Sequence, residues 1–286
     1  MALARLALRL ASLQAPNGAF KSRIVYRDHE EEDLNGFITA LVLRHLRGLP
    51  KLPDFKEQRD QALDFLECCA SSRLPGAFGF WPADQRPAWS RGIPEDADDT
   101  AVINLELGMH GRRSRQQVGR VVSEVLVPAL VTEVDRPGSP WIHPVVFPTW
   151  LGEPRARNLV DCCVNVNVAV LMSWCGLSHF PGYREACALV QGGLDWASED
   201  WERLRTLAPY YPNPVELCHA LEHAVACGVT ELEPARFRLR NLLSRQAFIL
   251  EKPNPRLQLA VCGNAYGGPF WLSTALEVVR EAMRDL

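Results

Sequence analysis

Four carboxylates lie within five residues in the segment Glu95-Asp96-Ala97-Asp98-Asp99, and their spacing allows three kinds of chemistry. Aspartates at a helix start cap unpaired N–H groups and meet the positive end of the helix dipole. Clustered carboxylates also bind hard cations. Finally, crowded carboxylates repel one another's negative charge, so one of them can keep a proton near neutral pH and act as an acid. The residues alone leave all three interpretations open.

A second polar group interrupts the apolar run between residues 159 and 174. Asn165 and Asn167 stand one residue apart and follow Asp161. A buried asparagine requires a hydrogen-bond partner. The pair therefore either contributes to a site or bonds to a neighbouring helix, and the sequence favours neither interpretation.

The chain also holds nine cysteines, an odd number at irregular spacing. Most of them lie in apolar runs, which is typical of reduced, buried thiols. Because disulfides are rare in the cytosol, this pattern predicts a cytoplasmic protein.

Helical periodicity dominates the elements that must position these residues. Apolar residues recur at spacings of three and four in the segments 1–13, 37–46, 58–69, 98–108, 115–132, 159–174, 183–196, 214–227, 234–249 and 270–283. Proline or glycine separates most of them, and strand-like alternation is scarce. The acidic segment therefore falls at the start of a helix. An all-α fold built from about a dozen helices would use the whole chain, 1–286, as a single domain.

Composition narrows the classes of function. Apolar residues make up 47% of the 286 residues and charged residues 23%, which is typical of a globular protein with a large core. The net charge of −3 gives no basic face for nucleic acid. No apolar run reaches the 18 residues that a membrane span requires. Neither a glycine-rich phosphate loop nor a Gly-x-Ser-x-Gly nucleophile motif is present.

The hexapeptide Asp96-Ala97-Asp98-Asp99-Thr100-Ala101, with an apolar helix behind it, resembles the Asp-x-Asp-Asp-Thr-Ala motif of class II terpene cyclases. Glycine-containing turns that run into aromatic residues, at 14–20, 74–81 and 264–271, resemble degenerate Gln-Trp repeats of that family. The resemblance implies a single α/α barrel of about six helical hairpins. It also implies that Asp98 protonates an alkene or epoxide of an isoprenoid, while Asp96 and Asp99 tune and hold it.

The same resemblance implies the remainder of a site. Aromatic faces that stabilise a carbocation would come from Trp81, Trp89, Trp141, Phe147, Trp150, Tyr211, Tyr266 and Trp271. His143, Asn165 and Asn167 are candidates to support the acid or to take up the final proton. A diphosphate on the substrate would require Mg²⁺. Cyclases of this family place the site between two barrels, whereas this chain has room for one, so a homodimer, a small substrate or a changed activity is expected.

Related α/α barrels suggest a zinc enzyme as the alternative. Asp161-Cys162-Cys163 resembles the Asp-x-Cys of protein prenyltransferases, with His219 as a third ligand. Cys175 together with Cys218 and His219 resembles the ligand set of lanthionine cyclases. Either set would leave an open position on zinc for a substrate. The third hypothesis is a non-catalytic barrel that binds a lipid or a protein.

Overall fold

A computed structural model describes residues 2–27, 29–50, 52–88, 90, 93–134, 139–152, 159–246, 259–264 and 267–285. The helices in these ranges are α1 (Ala2–Ser12), α2 (Gly36–Arg47), α3 (Lys56–Cys68), α4 (Ala97–Met109), α5 (Arg115–Val121), α6 (Cys162–Cys175), α7 (Tyr183–Ala197), α8 (Trp201–Thr206), α9 (Pro214–Ala226), α10 (Glu233–Gln246) and α11 (Thr274–Arg284). The fold is therefore mainly helical, as the periodicity predicts.

Side-chain caps set the starts of the helices that carry the site. Asn35 begins α2 by accepting the N–H of Ile38, and Asp96 begins α4 in the same way. Asp161 begins α6, which ends at Gly176 in the left-handed conformation that glycine tolerates without strain. Because these caps satisfy N–H groups that a helix leaves unpaired, they fix the point at which each helix starts.

A four-stranded antiparallel sheet accompanies the helices, which the sequence analysis did not anticipate. Its order is β2 (His29–Leu34), β1 (Lys21–Tyr26), β4 (Phe270–Leu272) and β3 (Cys262–Gly263). The prediction of a helix from residue 270 is wrong for its first three residues, since Phe270 to Leu272 pair with Val25 to Arg23. The Ser273 side chain then caps α11. The sheet thus joins the two ends of the described chain.

The segment 115–132 is predicted as one long α-helix, but it contains three kinds of helical structure. After α5 it continues as a π-helical turn at Val122–Leu126 and a 3₁₀ turn at Val127–Ala129, where Pro128 lacks the N–H that an α-helix would use.

Three helices form the centre of the core. Every residue in 36–44 of α2, 97–107 of α4 and 162–172 of α6 is buried. Helices that are enclosed on all sides in this way lack the polar face of a surface helix. α6 packs against α4, α7 and α9, while α2 packs against α4 and α11. None of the helices described has the length and apolar character needed to cross a membrane.

Candidate active site

A cavity of about 280 Å³ opens at the first turns of α2, α4 and α6. All three aspartates of the acidic motif line it, together with Val164 of α6. Half of the remaining lining residues are aromatic. The aromatic lining residues are Phe37, Phe80, Trp81, Trp150, Tyr210, Tyr211 and Trp271. The buried carboxyls of the motif therefore line a cavity whose wall is largely apolar.

Asp96 caps helix α4, so the helix-cap interpretation of the motif is correct for this residue. Its Oδ1 accepts the backbone N–H of Asp99 at 2.5 Å. The neighbouring backbone is tied down as well, because the N–H of Ala97 donates to the carbonyl of Thr149 at 2.8 Å. Burial, followed by the charge of Asp98, raises the pKa of Asp96 well above its usual range.

Asp98 is the motif carboxyl that receives hydrogen bonds from side chains. Asn167 Nδ2 donates to its Oδ1 at 2.7 Å, and the Tyr211 hydroxyl donates to its Oδ2. Burial raises the pKa of Asp98, whereas these two bonds and the charge of Arg44 act in the opposite direction. The donors stabilise the carboxylate that would remain after the acid has lost its proton.

Asp99 has no such support. Its side chain is fully buried, and neither carboxyl oxygen meets a hydrogen-bond donor in the described part of the chain. Burial raises its pKa well above the usual range, and the charges of Asp96 and Asp98 and a side-chain hydrogen bond with Asp96 raise it further. Because buried like charges repel, protonation is more favourable in these three carboxyls than in isolated ones.

A buried cation lies behind Asp98. Arg44 of α2 donates from Nη1 to Asn167 Oδ1 at 3.0 Å, so Asn167 bridges the guanidinium and the acid. Arg44 Nε lies 3.8 Å from Glu106 Oε1, and Arg47 forms two hydrogen bonds of 2.9 Å with the same carboxylate. Periodicity gives no sign of this arrangement, since an arginine in an amphipathic helix ordinarily points to solvent.

Asp33 is a second residue that sequence reasoning missed. It is 4% exposed and accepts the indole N–H groups of Trp81 at 2.8 Å and of Trp271 at 2.9 Å. Both indole rings line the cavity, so one carboxyl holds two parts of its wall. No signal in the sequence identifies Asp33, because it ends the charged run His29-Glu30-Glu31-Glu32, which is typical of a solvated surface.

The structure brings some of the predicted site residues together and separates others. Trp81, Trp150, Tyr211 and Trp271 line the cavity, and Asn167 contacts Asp98. Trp89 and Tyr266 lie outside the described residues.

The other candidates have different surroundings and do not line the cavity. Asn165 bonds to both backbone groups of Phe147 at 3.0 Å, so it ties α6 to a non-helical segment rather than to the neighbouring helix that the alternative predicted. Phe147 is fully buried core. Trp141 packs against Trp196 with ring centroids 6.3 Å apart. His143 Nδ1 lies 3.0 Å from the carbonyl of Pro144.

The candidate zinc ligands are not gathered into one site. Asp161 caps α6 through the N–H groups of Cys163 and Val164, and its second oxygen accepts the N–H of Tyr210 at 3.1 Å. His219 faces Glu222 at 3.6 Å. Cys163 and Cys218 are buried, and Cys175 is half-buried, as free thiols. Across the residues that the structure describes, no group of three or more His, Cys, Asp or Glu side chains is placed to hold a metal ion.

Comparison with known proteins gives weak structural likenesses. No protein-family model matches the chain, and no curated protein sequence matches it. A crystal structure of a protein from Actinoplanes superposes with a TM-score of 0.49 at 18% identity, covering 99% of this chain and 73% of that one. The apo structure of the type II terpene cyclase MstE from Scytonema gives 0.39 at 16% identity, covering 86% and 79%. A variant of that enzyme in complex with its substrate, geranylgeranyl dihydroxybenzoate, gives 0.36 at 15% identity, covering 86% and 78%.

Proposed function

We propose that this chain is a class II terpene cyclase-like enzyme in which Asp98 protonates an isoprenoid and starts its cyclisation or isomerisation. The observation that carries the proposal is the placement of three buried carboxyls in one aromatic cavity. A helix cap alone requires only Asp96. The burial of Asp98 and Asp99 beside it is costly for a fold that has no use for an acid.

The proposed first step is a proton transfer from Asp98. The π electrons of an alkene form the new C–H bond, the O–H electron pair stays on Asp98, and the positive charge remains on the other alkene carbon. Asn167 and Tyr211 already donate to the two oxygens of Asp98. They therefore stabilise the carboxylate that this step creates, without rearrangement at the moment of reaction.

Asp96 and Asp99 serve the acid by crowding it. Their charges and their burial raise the pKa of both groups and make a fully ionised cluster unfavourable, which favours a protonated form of the cluster. The apolar wall excludes water, which would otherwise capture the cation. Aromatic faces stabilise that cation without reacting with it.

The volume of the cavity bears on the substrate. At about 280 Å³ it lies near the lower end of small-molecule pockets, which span roughly 300–1,000 Å³. A short isoprenoid suits this space. We also propose that the helices close into a single α/α barrel around it.

The test is product formation from isoprenoids of increasing length, with and without a diphosphate, in the presence of a chelator. We expect Asp98→Asn to lower the rate at least about a thousandfold, since the amide has no proton to give. Asp64→Asn, an exposed carboxyl outside the cavity, is the matched control. Turnover that survives in Asp98→Asn would contradict the assignment. Activity that is lost to the chelator and restored by zinc alone would favour the zinc enzyme, and binding without any turnover would favour a non-catalytic barrel.

A further inference from the structure

Asp33 joins two aromatic residues that are far apart along the chain. Trp81 lies 48 residues and Trp271 238 residues from it, yet each donates its indole N–H to a different oxygen of this carboxyl. Trp81 is 7% and Trp271 5% exposed. Both indole rings line the cavity, whereas Asp33 does not, and its two hydrogen bonds restrain the orientation of both indole planes.

The partners of Asp33 favour its ionised form. Asn35 Oδ1 accepts the N–H of Ile38, which turns Asn35 Nδ2 toward Asp33 at 2.7 Å. An indole N–H can only donate, and the fixed amide donates as well. Burial raises the pKa of Asp33, whereas the hydrogen bonds from Asn35, Trp81, Trp271 and Ser22 act in the opposite direction because each stabilises the charged form. The donors therefore favour a carboxylate at the N–H edges of the indole pair.

Phe80 completes this end of the cavity. Its ring meets Trp81 edge-to-face with centroids 4.8 Å apart, and Trp271 at 5.0 Å. The two indole rings are 6.2 Å apart. Three aromatic rings thus form a concave wall whose members touch, which leaves little freedom for any of them to turn away.

The aromatic wall continues toward the acid. Phe37 stacks on Phe80 at 6.3 Å and meets Tyr211 edge-to-face at 5.9 Å. Tyr211 in turn donates to Asp98. The proton source and the carboxylate-backed indoles therefore stand at two ends of one continuous series of aromatic rings.

We propose that Asp33 orients and polarises Trp81 and Trp271, so that this end of the cavity is a recognition site for an aliphatic cation. A carboxylate that accepts an indole N–H adds electron density to the ring, and the negative face of the ring attracts a cation. Its own charge acts in the same direction through an interior that screens weakly. This inference rests on the proposed function for its biological meaning, which is to hold positive charge that has moved away from Asp98.

The test uses two probes that do not react. Geranyltrimethylammonium carries a fixed positive charge, and geranyl tert-butyl ether has the same chain and similar bulk without charge. We expect the wild-type protein to bind the ammonium ion at least about tenfold more tightly, and Asp33→Asn to remove most of that preference. Calorimetry or competition with a fluorescent ligand gives both dissociation constants. Asp64→Asn, at the surface, should leave the ratio unchanged.

A second variant covers the case in which Asp33→Asn does not fold. Trp271→Phe keeps an aromatic ring but cannot donate to Asp33, and it should lower the preference about threefold. If either variant weakens both probes equally, Asp33 only supports ring packing and the proposal is overturned. The same holds if the wild-type protein shows no preference for the cation. Because neither probe is converted, an Asp33-dependent preference in a protein that turns over no isoprenoid would contradict the proposed function alone.

Discussion

Two of the buried carboxyl groups of helix α4 have opposite surroundings. Glu106, near its end, is fully buried but receives two hydrogen bonds from Arg47 and lies close to Arg44. Asp99, in its first turn, is equally buried and meets no donor among the described residues. A buried carboxylate that serves the fold is paired, because an unpaired one is costly. The group without a donor lines the cavity, and under the proposed function its cost serves the acid cluster.

The paired end of α4 offers the largest expected effect on stability. Glu106→Gln leaves Arg47 and Arg44 without a counter-charge, and we expect the free energy of unfolding to fall by about 3–5 kcal/mol. Urea denaturation measures this. Glu67→Gln removes the half-exposed partner of Arg113 and should cost less than about 1 kcal/mol. Equal losses in the two variants would show that the pairing of Glu106 contributes nothing beyond a surface ion pair.

Asp161 is intermediate between Glu106, which is paired with a cation, and Asp99, which meets no donor. Its carboxyl oxygens accept backbone N–H groups. Burial raises its pKa from 3.8 to about 7, so the folded state binds this proton more tightly than the unfolded chain does. The resulting stabilisation is fully present below about pH 4 and is lost as the pH rises through about 7.

We therefore expect the stability of the wild-type protein relative to Asp161→Asn to fall by on the order of 3 kcal/mol between pH 4 and pH 8. Asparagine keeps an oxygen that can cap α6 but does not titrate. Urea midpoints of both proteins across this pH range give the comparison. If the stability of the wild-type protein relative to Asp161→Asn stays constant or rises between pH 4 and pH 8, the raised pKa of Asp161 is contradicted.

The two asparagines of α6 make hydrogen bonds with different roles: that of Asn165 serves the fold, and that of Asn167 serves the proposed acid. Asn165→Leu leaves the buried N–H and carbonyl of Phe147 without partners, so we expect a loss of about 2 kcal/mol in stability. The activity per folded molecule should stay within twofold. Asn167→Leu removes the donor to Asp98, and here we expect at least about a tenfold loss of rate. Thermal melts and steady-state rates on the same preparations decide between these roles, and a reversed pattern would exchange the assignments.

The smallest expected effect on stability is a gain at the unpaired end. Leucine has the same branching as aspartate with bulkier methyl ends, so Asp99→Leu replaces two oxygens that meet no donor by apolar groups. We expect the free energy of unfolding to rise by about 1 kcal/mol while activity falls strongly. Asp98→Leu should instead be destabilising, since Tyr211 and Asn167 would each lose an acceptor. If Asp99→Leu is less stable than the wild-type protein, the contrast drawn between Glu106 and Asp99 at the two ends of α4 is wrong.

Local sequence patterns predicted many of the helices and the position of the acidic motif. The 3.6-residue period placed α2, α4, α6, α7 and α9 within a few residues of their observed bounds. The acidic motif was correctly placed at a helix start, because capping is decided by neighbouring residues. The pairing of Trp81 and Trp271 through Asp33 was not predictable, since it depends on the meeting of three distant segments.

The sheet and the buried arginine were missed for related physical reasons. β2 reads as a charged run because it is an edge strand whose glutamates are exposed, so it lacks a hydrophobic period. Arg44 reads as a surface residue because its partners, Asn167 and Glu106, come from two other helices. Long-range electrostatic pairing leaves no trace in local spacing.

The cavity wall takes residues from Phe37 through the middle of the chain to Trp271. A molecule bound there would contact most of the folding unit at once, so it could not stay bound while any of these segments detached. Ligand binding and global unfolding are then linked, and a ligand at a hundred times its dissociation constant should raise the free energy of unfolding by about 2.7 kcal/mol. The melting temperature of the protein therefore serves as a direct screen for the compounds that this cavity accepts.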